Sequence, residues 1–173
     1  MKKLIAILVI MSLLVPVAFA ESLEDLFGGM TSLFRSDDES NTYAPGDTAE
    51  LDDYDITLTN VMVSDGGSQY TPADGYNYII FEFDIKNKTD EQEFISSMMC
   101  FSLSVDGKTY TISFEADAIA LFSGKTQLDV AIDPGETVSG VVGYEIPKEW
   151  AKLSITVKPD VYGGQKATFV MEK

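Results

Sequence analysis

The chain has 173 residues, with 28 aspartates and glutamates against 12 lysines and arginines, no histidine and one cysteine. That length suits one domain with a substantial core, and a formal charge of −16 repels nucleic-acid phosphates and anionic lipid headgroups. The absence of histidine excludes Ser-His-Asp and Cys-His catalysis and imidazole zinc sites, while a lone thiol excludes thiolate clusters and an internal disulfide.

The amino terminus reads "MKKLIAILVIMSLLVPVAFAES". Lys2 and Lys3 precede an apolar run over residues 4–15, then Pro16 and the small-x-small triplet Ala18, Phe19, Ala20. This is the layout of a signal peptide over 1–20, cleaved after Ala20. The apolar run falls short of the roughly 20 residues that span a bilayer, so no transmembrane anchor is expected after cleavage. The only cysteine, Cys100, lies far from the cleavage site and offers no thiol there for a lipid. Cleavage removes two lysines and no acid, leaving 10 basic and 28 acidic residues and a charge of −18. Secretion, or association with the cell envelope, is the expected localisation.

Residues 21–46 read as a linker. Leu23, Leu26, Phe27, Met30, Leu33 and Phe34 fall at helical spacing, whereas Gly28 and Gly29 oppose a helix by about 1 kcal/mol each. The stretch is thus either an amphipathic segment that docks on a membrane or partner, or a frayed leader. Asp37, Asp38 and Glu39 read as solvated linker.

From Asp47 the period becomes two. Tyr54, Ile56 and Leu58 share a face, and the apolar phase then slips to Val61 and Val63 as a bulge requires. Ile79, Phe81, Phe83 and Ile85 form the next face, and residues 87–90 a turn. Met99, Phe101, Leu103 and Val105 continue the pattern, followed by an Asp106-Gly107 hairpin and a strand through Tyr110, Ile112 and Phe114. Alternation places Cys100 opposite the Phe101 face, while free cysteine is usually buried; the two indications conflict. Residues 115–125 read as one helical turn or a crossover at the sandwich end, closed by Gly124. Leu128, Val130 and Ile132 make a strand, and Asp133-Pro134-Gly135 a turn. The next strand carries Val138, Gly140, Val142, Tyr144 and Ile146 on one side and Ser139, Val141, Gly143 and Glu145 on the other. Glycines within a strand imply the close approach of a bulky neighbour. Leu153, Ile155 and Val157, then Phe169 and Met171, complete the set.

Eight to nine short strands without long helices predict an all-β fold, an antiparallel β-sandwich over 47–173. The ordered segments "PGDTAELDDYDITLTNV", "YNYIIFEFDIKNKTDE", "IDPGETVSGVVGYEIPKE" and "LSITVKPDVYGGQKATFVM" resemble a bacterial family of secreted or lipid-anchored domains of unknown function, similar to the immunoglobulin-like mycobacterial immunoprotective extracellular antigen. The resemblance covers about residues 45–173. It implies an immunoglobulin-like sandwich and an envelope or extracellular setting, and it carries over no catalytic residues. Many such relatives bear a lipid-attachment cysteine after the signal peptide; this chain departs from them there.

No Ser-x-x-Lys and no phosphate-binding loop is present. Hydrolysis by two carboxylates survives on composition, though nothing singles out a pair. Asp52, Asp53 and Asp55 are the candidate calcium ligands, hard oxygens clustered at a turn, and calcium is the one cofactor in view. Tyr70, Tyr76, Tyr78, Trp150 and Tyr162 lie near predicted strand ends, where each could meet a protein or glycan of the envelope or else cap the core. The expected function is a non-catalytic binding module. Its alternatives are a structural envelope protein, a calcium-stabilised adhesion-type domain and, more remotely, a carboxylate-dependent hydrolase.

Overall fold

The computed structural model describes residues 41–173. The signal peptide and its cleavage after Ala20, and the helical stripe expected from Leu23 to Phe34 in the linker, lie outside the described residues.

Strand β1 (Thr42–Tyr43) falls inside the stretch that composition assigns to the linker, so the sheet takes in chain before Asp47. It joins β11 (Ala167–Glu172), β10 (Lys152–Val157), β6 (Phe101–Val105) and β7 (Lys108–Tyr110) in a five-stranded sheet ordered β1-β11-β10-β6-β7. All its pairs are antiparallel except β1–β11. The facing sheet runs β2 (Thr48–Glu50), β3 (Tyr54–Ser64), β4 (Tyr76–Asn87), β9 (Thr137–Pro147), antiparallel throughout. A third pair, β5 (Glu93–Ser96) with β8 (Asp129–Ile132), contributes Ile95 and Ile132 to the same core.

Side chains of period two meet between the sheets. Ile79, Phe81, Phe83 and Ile85 are all buried, and the Phe83 ring lies 5.3 Å from Phe101 and 5.7 Å from Phe169, both on the opposite sheet. The expected slip in β3 is present as a register shift between Leu58 and Asn60. Asp106 and Gly107 take φ of 50° and 79°, both left-handed as a two-residue hairpin turn demands. This is the β-sandwich that the strand pattern predicts, antiparallel except at β1–β11, with eleven strands among the described residues instead of eight or nine.

Two helices correct the strand reading. Helix α1 (Ser97–Cys100) replaces the expected start of a strand at Met99, whose side chain is exposed. That short helix also removes the conflict over Cys100: the strand begins only at Phe101, so alternation does not govern the cysteine, which is buried. Burial pushes its thiol above the ordinary value. Helix α2 (Phe114–Phe122) is longer than one turn and begins where a strand through Phe114 was expected. The Ser113 hydroxyl caps its start by accepting from the Ala116 amide at 3.2 Å. At its end Gly124 has φ +83°, and the Lys125 amide donates to the Ala120 carbonyl at 3.1 Å, closing the helix in the expected place.

Helix α2 packs on the outer face of the four-stranded sheet rather than at a sandwich end. Ala116 and Ala120 form a second buried cluster with Tyr78, Ile80 and Val141. The two glycines of β9 make room for neighbours, as their position in a strand suggests: a Cβ at Gly143 would stand 2.6 Å from the Ala116 Cβ, and one at Gly140 would stand 2.8 Å from the Leu128 side chain. The segments flanking α2 cover the outer edge of β9. Ile112 bridges Tyr144, the Ser113 amide donates to the Gly143 carbonyl at 2.9 Å, and the Val141 amide donates to the Thr126 carbonyl at 2.8 Å. An edge that would invite foreign strands is thereby paired from within the chain.

Candidate functional site

Where the chain crosses from β7 to the edge of β9, a cleft of about 450 Å³ opens on the side of the sandwich. Its walls come from α1 (Met98), β6 (Phe101, Ser102), β7 (Thr109, Tyr110), the crossing segment (Thr111, Ile112), the start of α2 (Phe114) and β9 (Tyr144). Among the described residues no charged side chain lines it. Met98 and Phe114 are 69% and 65% exposed, unusual for apolar residues of their size. Tyr144 is the opposite case: it is 1% exposed, and its hydroxyl has no hydrogen-bond partner among the described residues. Burial raises that phenol well above the ordinary range, so it carries its proton at every physiological pH.

A second cavity of about 360 Å³ shares Tyr110, Thr111 and Ile112 with the first and adds Tyr76, Ser113, Glu115 and Glu145. Both carboxylates have local partners: Glu145 accepts from the Ala73 amide at 2.6 Å, and Glu115 from the Ser113 hydroxyl at 3.0 Å. A third, of about 330 Å³, lies between residues 66–70 and the end of α2, where the Tyr70 and Phe122 rings stack 6.4 Å apart.

The five tyrosine and tryptophan candidates are not brought together. Tyr76 lines the second cavity and Tyr70 the third. Tyr78 is corrected: it lies on the outer face of its sheet, buried beneath α2, and lines none of the three cavities. Trp150 packs against the edge of the core with the Lys173 ammonium 4.2 Å above its ring, an arrangement that fits the core-capping role. Tyr162 is 97% exposed and lines none of these three cavities.

Asp52 and Asp53 sit at the exposed tip of the β2–β3 hairpin, where the Asp52 amide donates to the Gln165 side chain at 2.6 Å. Asp55 is paired with Lys88 at 2.9 Å. The three carboxylates are not gathered around a common point, and among the described residues no cluster of three or more potential ligands is arranged to hold a metal ion.

In the sequence Ile112 and Tyr144 read as strand faces and nothing marks the cleft. Nor does the alternation single out Asp117, which is 2% exposed in α2. One Asp117 oxygen accepts from Gln127 at 3.0 Å while the other has no hydrogen-bond partner among the described residues, and burial pushes the carboxyl up to about 6. The one available signal was an acid in the middle of "FEADAIALF", a run otherwise apolar after its second residue.

The model of a domain of unknown function, DUF4352, matches residues 43–167. No curated protein matches the chain. Among solved structures, ycdA from Bacillus subtilis, a candidate lipoprotein, is similar with a TM-score of 0.62 at 14% identity, over 75% of this chain and 39% of that one. The chain thus spans about two fifths of the length of that relative. The yjhA protein from Bacillus subtilis has a TM-score of 0.57 at 17% identity, over 73% and 97% of the two chains. A secreted protein from Mycobacterium tuberculosis, MPT63, has a TM-score of 0.45 at 10% identity, over 76% and 96%.

Proposed function

The chain belongs to the DUF4352 family of domains of unknown function, and from that premise we propose that it is a non-catalytic binding module acting outside the cytoplasm, at the cell envelope or beyond it. The observation that carries this reading is the side cleft: about 450 Å³ of space without a charged lining group, flanked by two large exposed apolar residues. Such a site can bind, but it offers no nucleophile with a base beside it. The extracytoplasmic setting is supported by the secretory layout of residues 1–20 and by the lipoprotein description of ycdA, which shares the fold. Among the described residues no helix is long and apolar enough to cross a membrane.

The test is site-specific photo-crosslinking in the native envelope. Thr109→p-benzoylphenylalanine places the probe on the cleft wall, and Glu50→p-benzoylphenylalanine places it on β2, three strands from β9 in the facing sheet. Mass spectrometry should identify an adduct specific to Thr109. Identical adducts from both positions would favour a structural envelope role, and none from either would sink the binding reading. The hydrolase alternative has one specific pair to offer, Glu115 and Glu145, which line a common cavity. A hydrolase screen that turns over a substrate, and loses turnover in Glu115→Gln or Glu145→Gln, would replace binding with catalysis.

A further inference from the structure

We infer that the side cleft takes an uncharged, largely apolar molecule carrying one hydrogen-bonding group, with its body against Phe101, Tyr110 and Ile112 and its polar group on the Tyr144 hydroxyl. The inference rests on the binding-module reading and names the ligand class for it.

Three observations converge. The first is the lining. A volume of about 450 Å³ lies inside the range of roughly 300–1,000 Å³ typical of small-molecule sites, and its walls are mostly apolar. The second is Tyr144, a cleft-lining residue 1% exposed whose hydroxyl has no hydrogen-bond partner among the described residues. A buried hydroxyl without a partner is costly, so a ligand group that bonds to it recovers what the empty-handed protein loses. A ligand lacking any polar group would leave that cost in place. The third is charge. The chain carries −16, and the Tyr110, Thr111 and Ile112 wall is shared with a cavity that holds Glu115 and Glu145, so a carboxylate or phosphate at this position is repelled. Met98 and Phe114 at the rim provide surface that adapts to an apolar guest, the thioether chain being flexible and the ring large.

The test titrates the intact chain with N-phenyl-1-naphthylamine, a neutral apolar fluorophore, and then displaces it with 1-decanol, 1-bromodecane or decanoate below their aggregation limits. Saturable one-to-one binding is expected, with 1-decanol at least about tenfold more effective than decanoate. Thr111→Trp, which obstructs the cleft from the crossing segment, should abolish binding; Ser102→Trp on the β6 wall serves the same purpose if the first variant fails to melt cooperatively. Tyr144→Phe should weaken 1-decanol by about 3–10-fold and leave 1-bromodecane unchanged, as loss of one hydrogen bond requires. Absence of saturable binding by the folded chain, equal displacement by decanoate, or indifference of 1-decanol to Tyr144→Phe overturns the inference. If the fluorophore fails while the Thr109 crosslinker still captures an envelope molecule, the ligand class is wrong and the binding module stands; if both fail, both fall.

Discussion

Two residues, one in α2 and one beneath it, show how closely the helix is fitted. Asp117 is an acid held where water does not reach it, and burial pushes its carboxyl up to about 6, above its ordinary value of 3.8. In the folded state it therefore holds a proton that the unfolded chain releases. Its contribution favours folding fully below about pH 4, declines as pH rises through about 6, and is flat above that; the span is roughly 1–3 kcal/mol. Asp117→Asn keeps an oxygen for Gln127 and removes the titration. The variant should be more stable than the parent at pH 7.5 and lose that advantage at pH 4, as read by urea unfolding across the range. A stability difference independent of pH would refute the assignment. Gly143 makes a complementary point. Gly143→Ala sets a methyl 2.6 Å from the Ala116 Cβ and 3.0 Å from Ala116 backbone, and should cost about 1–3 kcal/mol. Gly67→Ala, where a Cβ meets nothing within 4 Å and φ is not left-handed, should stay within about 0.5 kcal/mol in the same assay.

At the scale of elements, the strands were legible because each has one face toward the core, and a period of two survives in the sequence wherever that holds. Phe81, Phe83 and Ile85 on β4, and Leu153, Ile155 and Val157 on β10, are core residues as read. Helix α1 was not legible and α2 only in part, as a helical turn closed by Gly124, for different reasons. Helix α1 is four residues long and carries Met98 and Met99 outward, so it disturbs the apolar count without creating a helical period. Helix α2 buries Ala116 and Ala120 and exposes Phe114, Leu121 and Phe122, the reverse of what residue size suggests for a core-facing stripe. Ile112 was placed on a strand, and it does pair; its partner is Tyr144 on the other sheet, which no local pattern encodes. The cleft was invisible for the same reason, since its walls run from Met98 to Tyr144 through five elements and a connecting segment. The stability of α2 can be tested directly. Ser113→Ala removes the cap on Ala116 and should cost about 1 kcal/mol, with the loss concentrated in faster hydrogen exchange of α2 amides while β4 and β9 core amides change less. Uniform acceleration across the sheet would mean that α2 does not open separately.

For the molecule as a whole the governing quantity is charge. The chain carries 28 acids against 12 bases, and its ion pairs among the described residues, Lys88–Asp55, Lys125–Glu82, Lys148–Asp65 and Lys152–Glu172, leave most carboxylates without a cationic neighbour. Folding concentrates those like charges, and the repulsion is screened when the Debye length shrinks from about 30 Å at 0.01 M salt to a few Å near 1 M. Raising sodium chloride over that range should therefore raise the melting temperature by several degrees, although salt also weakens the four surface pairs, because each such pair is worth at most about 1 kcal/mol. The same experiment separates general screening from a dedicated calcium site at Asp52, Asp53 and Asp55. With Asp55 engaged by Lys88 and the other two carboxylates at an exposed hairpin tip, calcium and magnesium at equal ionic strength should shift the melting temperature equally. A rise specific to calcium at sub-millimolar concentration, abolished by Asp55→Asn, would show that Asp55 exchanges its lysine for the ion and would restore the adhesion-type reading.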